Sequence, residues 1–139
     1  MFEKLDCFIK DNSEEILITG GWGEDKISEL EQKLNVSFRE ELKLFIRKYG
    51  LLMGYGVEIA VCGKNGGSRM VEATQSFRKA GLDERYLVIE GDGELAYCLD
   101  NETGKIVNWG LDNLEVYPVA NSLETFILDN LKEAKDNWQ

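Results

Sequence analysis

Three short apolar segments in the C-terminal half are separated by connections of hairpin length, and this arrangement constrains the fold more than any other feature of the chain. They are residues 86–90, 95–99 and 105–109. Glycine and acidic turn residues fill both connections, Gly91-Asp92-Gly93 in the first and residues 100–104 in the second. Connections this short join antiparallel strands, because parallel strands need a crossover of about a dozen residues or more. The sequence therefore predicts a largely antiparallel sheet.

Two further segments predict strands of different character. Val57, Ile59 and Val61 alternate with their neighbours at period two, which predicts a strand within residues 53–62. Residues 116–117 predict an edge strand, because Pro118 has no N–H to donate to a neighbouring strand. Residues 16–18 are apolar and either extend the first helix or form a short strand.

Apolar residues at spacings of three and four predict five helices. The marker residues are Phe2, Leu5, Phe8 and Ile9; Ile27, Leu30 and Leu34; Leu42, Phe45, Ile46 and Tyr49; Met70, Ala73 and Phe77; and Leu123, Phe126, Ile127 and Leu131. Ser37 and Glu40 predict a capping box at the start of the third helix, and Gly50 predicts its end. Asn121 and Glu124 predict the cap of the last helix. Helices over a largely antiparallel sheet of about four to six strands give an α+β fold.

The chain is strongly acidic, with 26 acids against 16 bases among 139 residues and a net charge of −10. This charge repels phosphate backbones and anionic lipid, so we expect neither nucleic acid nor a membrane as a partner. It favours encounter with a basic protein. The first residues are acidic where a signal peptide would be basic, and no apolar run approaches the 20 or so residues of a membrane span, so a cytoplasmic location is predicted.

The composition offers little for catalysis. There is no histidine, which rules out Ser–His and Cys–His pairs and histidine metal sites. Cys7, Cys62 and Cys98 have no short spacing, so neither a disulfide framework nor a zinc site is predicted. Paired carboxylates leave a hydrolase as a third possibility, and no cofactor is predicted.

One loop is a candidate anion site, because it joins a predicted strand to a predicted helix and helix N-termini attract anions. Its candidate residues are Lys64, Gly66, Gly67, Ser68 and Arg69. No Gly-Lys-Ser/Thr sequence closes the loop, so it is not a Walker loop. The alternative function is therefore a small-anion sensing or regulatory module. The structural alternative is that this loop only connects the strand to the helix.

Five segments together resemble the SUKH superfamily, which includes the Smi/Knr-type proteins. They are the helix of residues 27–34, the helix ending in Tyr49-Gly50, the Gly91-Asp92-Gly93 hairpin running to Asp100, the strand of residues 104–109, and the closing helix of residues 123–127. Val36-Ser37 stands where this superfamily usually has a leucine–proline pair. The resemblance runs from about Glu24 onward and predicts one domain over residues 1–139, with an N-terminal helix and loop over 1–23 and a core over 24–139.

The resemblance implies a binding protein without catalytic activity. Its bacterial members are mostly immunity proteins that neutralise polymorphic toxins, often nucleases, and the acidic charge suits a basic toxin. On this hypothesis the candidate contacts are acids at turn tips, which are exposed and free to vary, together with one tryptophan in a glycine-rich loop. They are Glu90, Asp92, Glu94, Glu102, Asp112 and Trp22. The oligomeric state is left open.

Overall fold

A computed structural model describes residues 1–62, 67–92, 95–110 and 114–138. Within these ranges the chain forms five helices and seven strands. In chain order they are α1 (Glu3–Asp11), β1 (Ile16–Ile18), α2 (Glu24–Leu34), α3 (Glu40–Lys48), β2 (Leu51–Gly54), β3 (Val57–Ala60), α4 (Arg69–Lys79), β4 (Tyr86–Asp92), β5 (Leu95–Asp100), β6 (Ile106–Gly110), β7 (Val116–Ala120) and α5 (Leu123–Asp136).

The strands form two antiparallel sheets, which confirms the predicted α+β fold. The first has the order β1-β2-β3 and the second the order β4-β5-β6-β7. Each order follows the chain, as hairpin-length connections require. β3 lies beside β4, so the two sheets are neighbours in the fold. β7 is the last strand of its sheet, and the prediction that it lies at an edge is confirmed.

The predicted alternating strand of residues 53–62 is interrupted by a tight turn. Tyr55 and Gly56 both have positive φ, 51° and 84°, and they join β2 to β3. A two-residue turn with two positive φ values matches the right-handed twist of a hairpin. Gly56 adopts this conformation without steric cost, whereas Tyr55 is an unusual residue for it. The uninterrupted apolar alternation concealed this turn in the sequence.

Two predicted helix caps are wrong by a few residues. The capping box fails because α3 begins at Glu40 with Arg39 as its N-cap, and no side chain caps it. Long-range partners take the nearby backbone N–H groups instead: Glu31 accepts from Phe38 N at 2.6 Å. The last helix is capped by Ser122, whose Oγ accepts from Thr125 N at 3.1 Å.

The four-stranded sheet is covered on both faces. α4 lies on one face, where the Phe77 and Trp109 rings meet edge to face with centroids 5.4 Å apart. α5 lies on the other, where the rings of Tyr97 and Phe126 are 5.3 Å apart. The larger core continues from this second face to the remaining helices, and Leu5 of α1 is fully buried in it.

Candidate partner-binding surface

The structure separates the predicted turn acids. Glu90 and Asp92 lie at the end of β4, and Glu102 follows the end of β5, which is the opposite end of the sheet. Glu102 Oε2 lies 3.1 Å from Arg85 Nη2, so its charge already has an internal partner. Glu94 and Asp112 lie outside the described residues. A partner role for these five acids stays a prediction.

Trp22 packs within the protein more than its glycine-rich loop suggested. Its ring is half-buried against the larger core, and Lys26 Nζ lies 5.7 Å from the ring centroid. Its backbone N–H donates to Ile46 O at 3.1 Å, which ties the loop to α3. These contacts give Trp22 a packing function, and its role in partner binding stays a prediction.

The candidate anion loop is only partly described. Lys64 and Gly66 lie outside the described residues, and Gly67 has open space around it. Ser68 is the N-cap of α4: its Oγ accepts from Val71 N at 3.2 Å and donates to Val61 O at 2.5 Å. Arg69 donates from Nη1 to Glu58 Oε1 at 2.9 Å. Both side chains therefore have partners within the protein, and anion binding here stays a prediction.

Sequence reasoning missed the apolar surface of β7. Four large apolar side chains on or beside this strand are exposed: Leu114, Val116, Tyr117 and Val119. Tyr117 is 50% exposed and donates its hydroxyl hydrogen to Glu115. Exposed apolar side chains are ordinary when scattered singly, but grouped ones mark interaction sites, and these four all lie within residues 114–119. The sequence indicated this surface only through its predicted edge strand, in which apolar residues do not alternate with polar ones.

The register of the sheet explains how β7 presents apolar groups on both faces. Val116 is the cross-strand neighbour of Trp109, and Tyr117 is the neighbour of Asn108. Cross-strand neighbours share a face, so Val116 continues the face that α4 covers and Tyr117 continues the face that α5 covers. Neither helix extends over β7 far enough to bury these side chains.

A groove of about 280 Å³ runs between β7 and α5. It is lined by Tyr97, Val119, Ala120, Phe126, Asp129, Asn130 and Glu133. Asp129 and Glu133 are exposed, and no base of the described residues lies within 4.0 Å of either carboxylate. We call Leu114, Val116, Tyr117 and Val119, together with this groove, the β7 surface.

One polar atom near the groove lacks a partner. Asn108, cross-strand neighbour of both Tyr97 and Tyr117, has a buried Oδ1 that accepts no hydrogen bond from any described residue. A buried acceptor without a donor costs stability, and its burial keeps this oxygen out of reach of a partner's donors. With two carboxylates nearby, the β7 surface offers acceptors and apolar area, which suits a basic amphipathic partner.

Two of the three cysteines, Cys62 and Cys98, are buried, and Cys7 is exposed. Burial raises the pKa of the Cys62 and Cys98 thiols to about 12, so both remain protonated near neutral pH and are poor nucleophiles. Among the described residues, no cysteine or acidic side chains are grouped closely enough to hold a metal ion. Within the same ranges, no helix combines the length and apolar character needed to cross a bilayer.

Comparison with known families decides the classification. The model of the SUKH_5 family, described as SMI1-KNR4 cell-wall, matches residues 5–132. The chain belongs to the SUKH family. The match spans every element except the beginning of α1 and the end of α5, so the resemblance predicted from five separate segments is confirmed over most of the chain.

A solved structure has the same fold as this SUKH protein. It is the crystal structure of a protein from Pseudomonas syringae pv. tomato, with a TM-score of 0.66 and 19% sequence identity. The similarity covers 84% of this chain and 87% of that one. At this level of identity the likeness concerns the fold alone.

Proposed function

We propose that this SUKH protein is a non-catalytic, cytoplasmic immunity protein that binds and neutralises a basic toxin domain. The observation that carries the proposal is the β7 surface, where exposed apolar side chains adjoin a groove with two carboxylates. SUKH family membership supports the protein-binding class. The net charge of −10 supports a basic partner.

The side chains of the β7 surface suit the energetics of a protein interface. Interfaces draw most of their affinity from a few aromatic and apolar side chains that become fully desolvated. Tyr117 and Val119 are exposed in the isolated chain, so a partner that covers them removes apolar area from water. Asp129 and Glu133 lie at the edge of the groove, where charge raises the association rate more than the affinity.

The partner contacts side chains in this proposal and does not add a strand to the sheet. Pro118, in the middle of β7, has no N–H for a further ladder. The register of β6 and β7 also shifts between Ile106 and Val107, which makes the edge irregular. Mutations that keep the backbone and change only side chains should therefore abolish binding.

Capture from the native host tests the proposal. The tagged chain and its Tyr117→Ala/Val119→Ser variant serve as paired baits at low and moderate salt, and mass spectrometry identifies the bound proteins. We expect a basic protein that the wild-type chain retains and the variant loses, and that is held less tightly as salt rises. A captured protein that arrests growth when expressed alone, and is harmless when this chain is co-expressed, establishes immunity.

The controls distinguish loss of the binding surface from unfolding of the variant. Circular dichroism and thermal unfolding of the variant should match the wild type, because both substituted side chains are exposed. Glu72→Ala serves as a control, because Glu72 is exposed on α4, which covers the other face of the sheet. Capture of the same protein by both baits, or a captured protein without effect on growth, would refute the proposal.

A further inference from the structure

A second groove lies on the three-stranded sheet, at the C-terminal end of α5. Its volume is about 320 Å³. It is lined by Glu15, Leu17, Met53, Gly54, Tyr55, Gly56, Val57, Glu58 and Trp138. Leu17 and Trp138 are two of the large exposed apolar side chains outside the β7 surface. This groove is independent of the β7 surface, because it belongs to the other sheet.

Two aromatic rings form a corner of this groove. The centroids of Tyr55 and Trp138 are 5.8 Å apart, and their planes meet at 75°. Tyr55 is fixed because its hydroxyl donates to Asn12 Oδ1 at 2.7 Å. The Trp138 ring lies over the backbone of Gly56, where an added Cβ would be 3.9 Å from Cζ3. The two rings pack edge to face, and the part of the Trp138 ring that remains exposed can attract a cation through its quadrupole.

The backbone at this corner is held in a costly conformation. Tyr55 has φ 51°, a left-handed value at which asparagine or glycine is favoured and a bulky aromatic residue is rare. The turn would therefore form more readily with another residue at this position. The ring compensates for this cost in part through its hydroxyl bond to Asn12 and its packing on the larger core, and strain of this kind is found preferentially at functional sites.

The charge around the corner is negative. Glu15 is exposed, and no base of the described residues lies within 4.0 Å of its carboxylate. Burial raises the pKa of the Tyr55 hydroxyl, and the negative charge of Glu15 raises it further. Glu58 also lines the groove but is paired with Arg69 at 2.9 Å. Glu15 thus leaves an unbalanced negative charge beside two aromatic faces.

The other two tryptophans provide an internal comparison. Trp109 is 2% exposed and packs against Phe77. Trp22 already has a cation of its own, since Lys26 lies 5.7 Å from its ring centroid. Trp138 is 54% exposed, and within the described part of the chain no lysine or arginine lies over its ring. Trp138 is therefore an exposed ring in an acidic groove, and no cation of the described residues occupies it.

We propose that the Tyr55–Trp138 corner binds the basic side chain, lysine or arginine, of a partner protein segment. The aliphatic stem of that side chain packs on Leu17 and Met53, and its charged end lies between the exposed Trp138 ring and Glu15. Long basic side chains commonly combine apolar and charged contacts in this way. The site does not depend on the proposed immunity function.

Peptide titrations followed by NMR test this site on the full chain labelled with ¹⁵N. The probes are acetyl-Leu-Lys-Leu-amide, its arginine analogue and its norleucine analogue, which keeps the stem and lacks the charge. We expect the Trp138 indole resonance to shift and saturate with the two basic peptides while the Trp22 and Trp109 resonances stay in place. The norleucine peptide should bind about two- to fivefold more weakly, as expected for a cation–π contact at an exposed site.

Two variants complete the test. Tyr55→Asn removes one ring and places a favoured residue in the turn, so the protein should remain folded and lose the selectivity for the basic peptides. Glu15→Gln should weaken both basic peptides and leave the norleucine peptide unaffected. Equal affinity for all three peptides, or no saturable shift of the Trp138 resonance, would overturn the proposal. So would a Trp138 shift that depends on protein concentration without peptide, since a second copy would then occupy the groove.

Discussion

Arg85 binds Asp100 through two hydrogen bonds, from Nε to Oδ1 at 3.2 Å and from Nη2 to Oδ2 at 2.7 Å. Asp100 is 5% exposed, and its Oδ1 also accepts from the backbone N–H of Glu102 at 2.9 Å. The pair joins the start of β4 to the end of β5 and orders the turn that follows. It also draws in Glu102, which is why this predicted partner acid has a structural role.

We predict that Asp100→Asn destabilises the protein at neutral pH and reduces its sensitivity to acid. Burial acts to raise the pKa of Asp100, but hydrogen bonds from Arg85 and the following backbone outweigh it and hold the pKa below the ordinary 3.8. A lowered carboxyl pKa stabilises the folded state above pH 3.8, and this contribution is lost as the pH falls through the folded-state pKa. The loss at neutral pH should be about 1–3 kcal/mol.

Urea unfolding at a series of pH values measures this effect. The free energy of unfolding should fall less steeply below pH 3.8 in Asp100→Asn than in the wild type. Glu14→Gln is the control, because Glu14 is exposed and has no hydrogen bond or ion pair to any described residue. Parallel pH profiles for the wild type and Asp100→Asn would show that the Arg85 pair is not retained in solution.

The glycine-rich loop before α2 supplies a second prediction, on stability. A Cβ added to Gly21 would lie 1.9 Å from the carbonyl oxygen of Arg47, whereas one added to Gly23 meets no atom within 4 Å. Gly21→Ala should therefore cost about 3 kcal/mol or more, since backbone has to move, and Gly23→Ala well under 1 kcal/mol. The denaturant midpoints of the two variants measure this difference in stability. Similar midpoints would contradict the close approach of this loop to α3.

Much of the fold follows from local pattern. The spacing of Ile27, Leu30 and Leu34 predicted α2, and the hairpin-length connections predicted that β4, β5 and β6 are antiparallel. These features succeed because apolar periodicity reports directly which face of an element is buried. The turn at Tyr55 escaped detection because its residues do not interrupt the alternation and because tyrosine is a rare choice there.

The candidate surface was harder to predict because it depends on tertiary placement. Turn tips are exposed whatever the fold, so acids at turns seemed suitable, yet Glu90 and Glu102 lie toward opposite ends of the sheet. Tyr117 is exposed because neither α4 nor α5 covers its side chain, which no local spacing reveals. Likewise, long-range bonds to Glu31 and Asn101 replaced the predicted capping box of α3.

Charge reversal in the groove should change the rate of partner binding more than the lifetime of the complex. Asp129→Lys/Glu133→Lys should lower the association rate constant by about tenfold at low salt and reduce its salt dependence. Stopped-flow or surface plasmon resonance with the captured partner measures both rates. Glu72→Lys is the control, because Glu72 is exposed on α4, which covers the other face of the sheet. If Glu72→Lys lowered the association rate constant equally, the effect would come from the net charge of the protein and not from the groove.

Tyr117 should be a dominant contributor to affinity. Tyr117→Ala should weaken the captured partner by about 2 kcal/mol or more, the loss typical of a central interface residue. Tyr117→Phe should retain most of the affinity, because the hydroxyl already bonds to Glu115 within the chain. Isothermal titration calorimetry separates the two variants. An alanine variant with wild-type affinity would place the interface elsewhere.

The most direct test of the central claim, that the β7 surface holds a basic protein partner, is the paired capture with wild-type and Tyr117→Ala/Val119→Ser baits. We expect one basic protein that the wild-type chain retains and the variant loses, although both baits are equally folded. Retention of the same protein by both baits, or capture of none by the wild type, would contradict it.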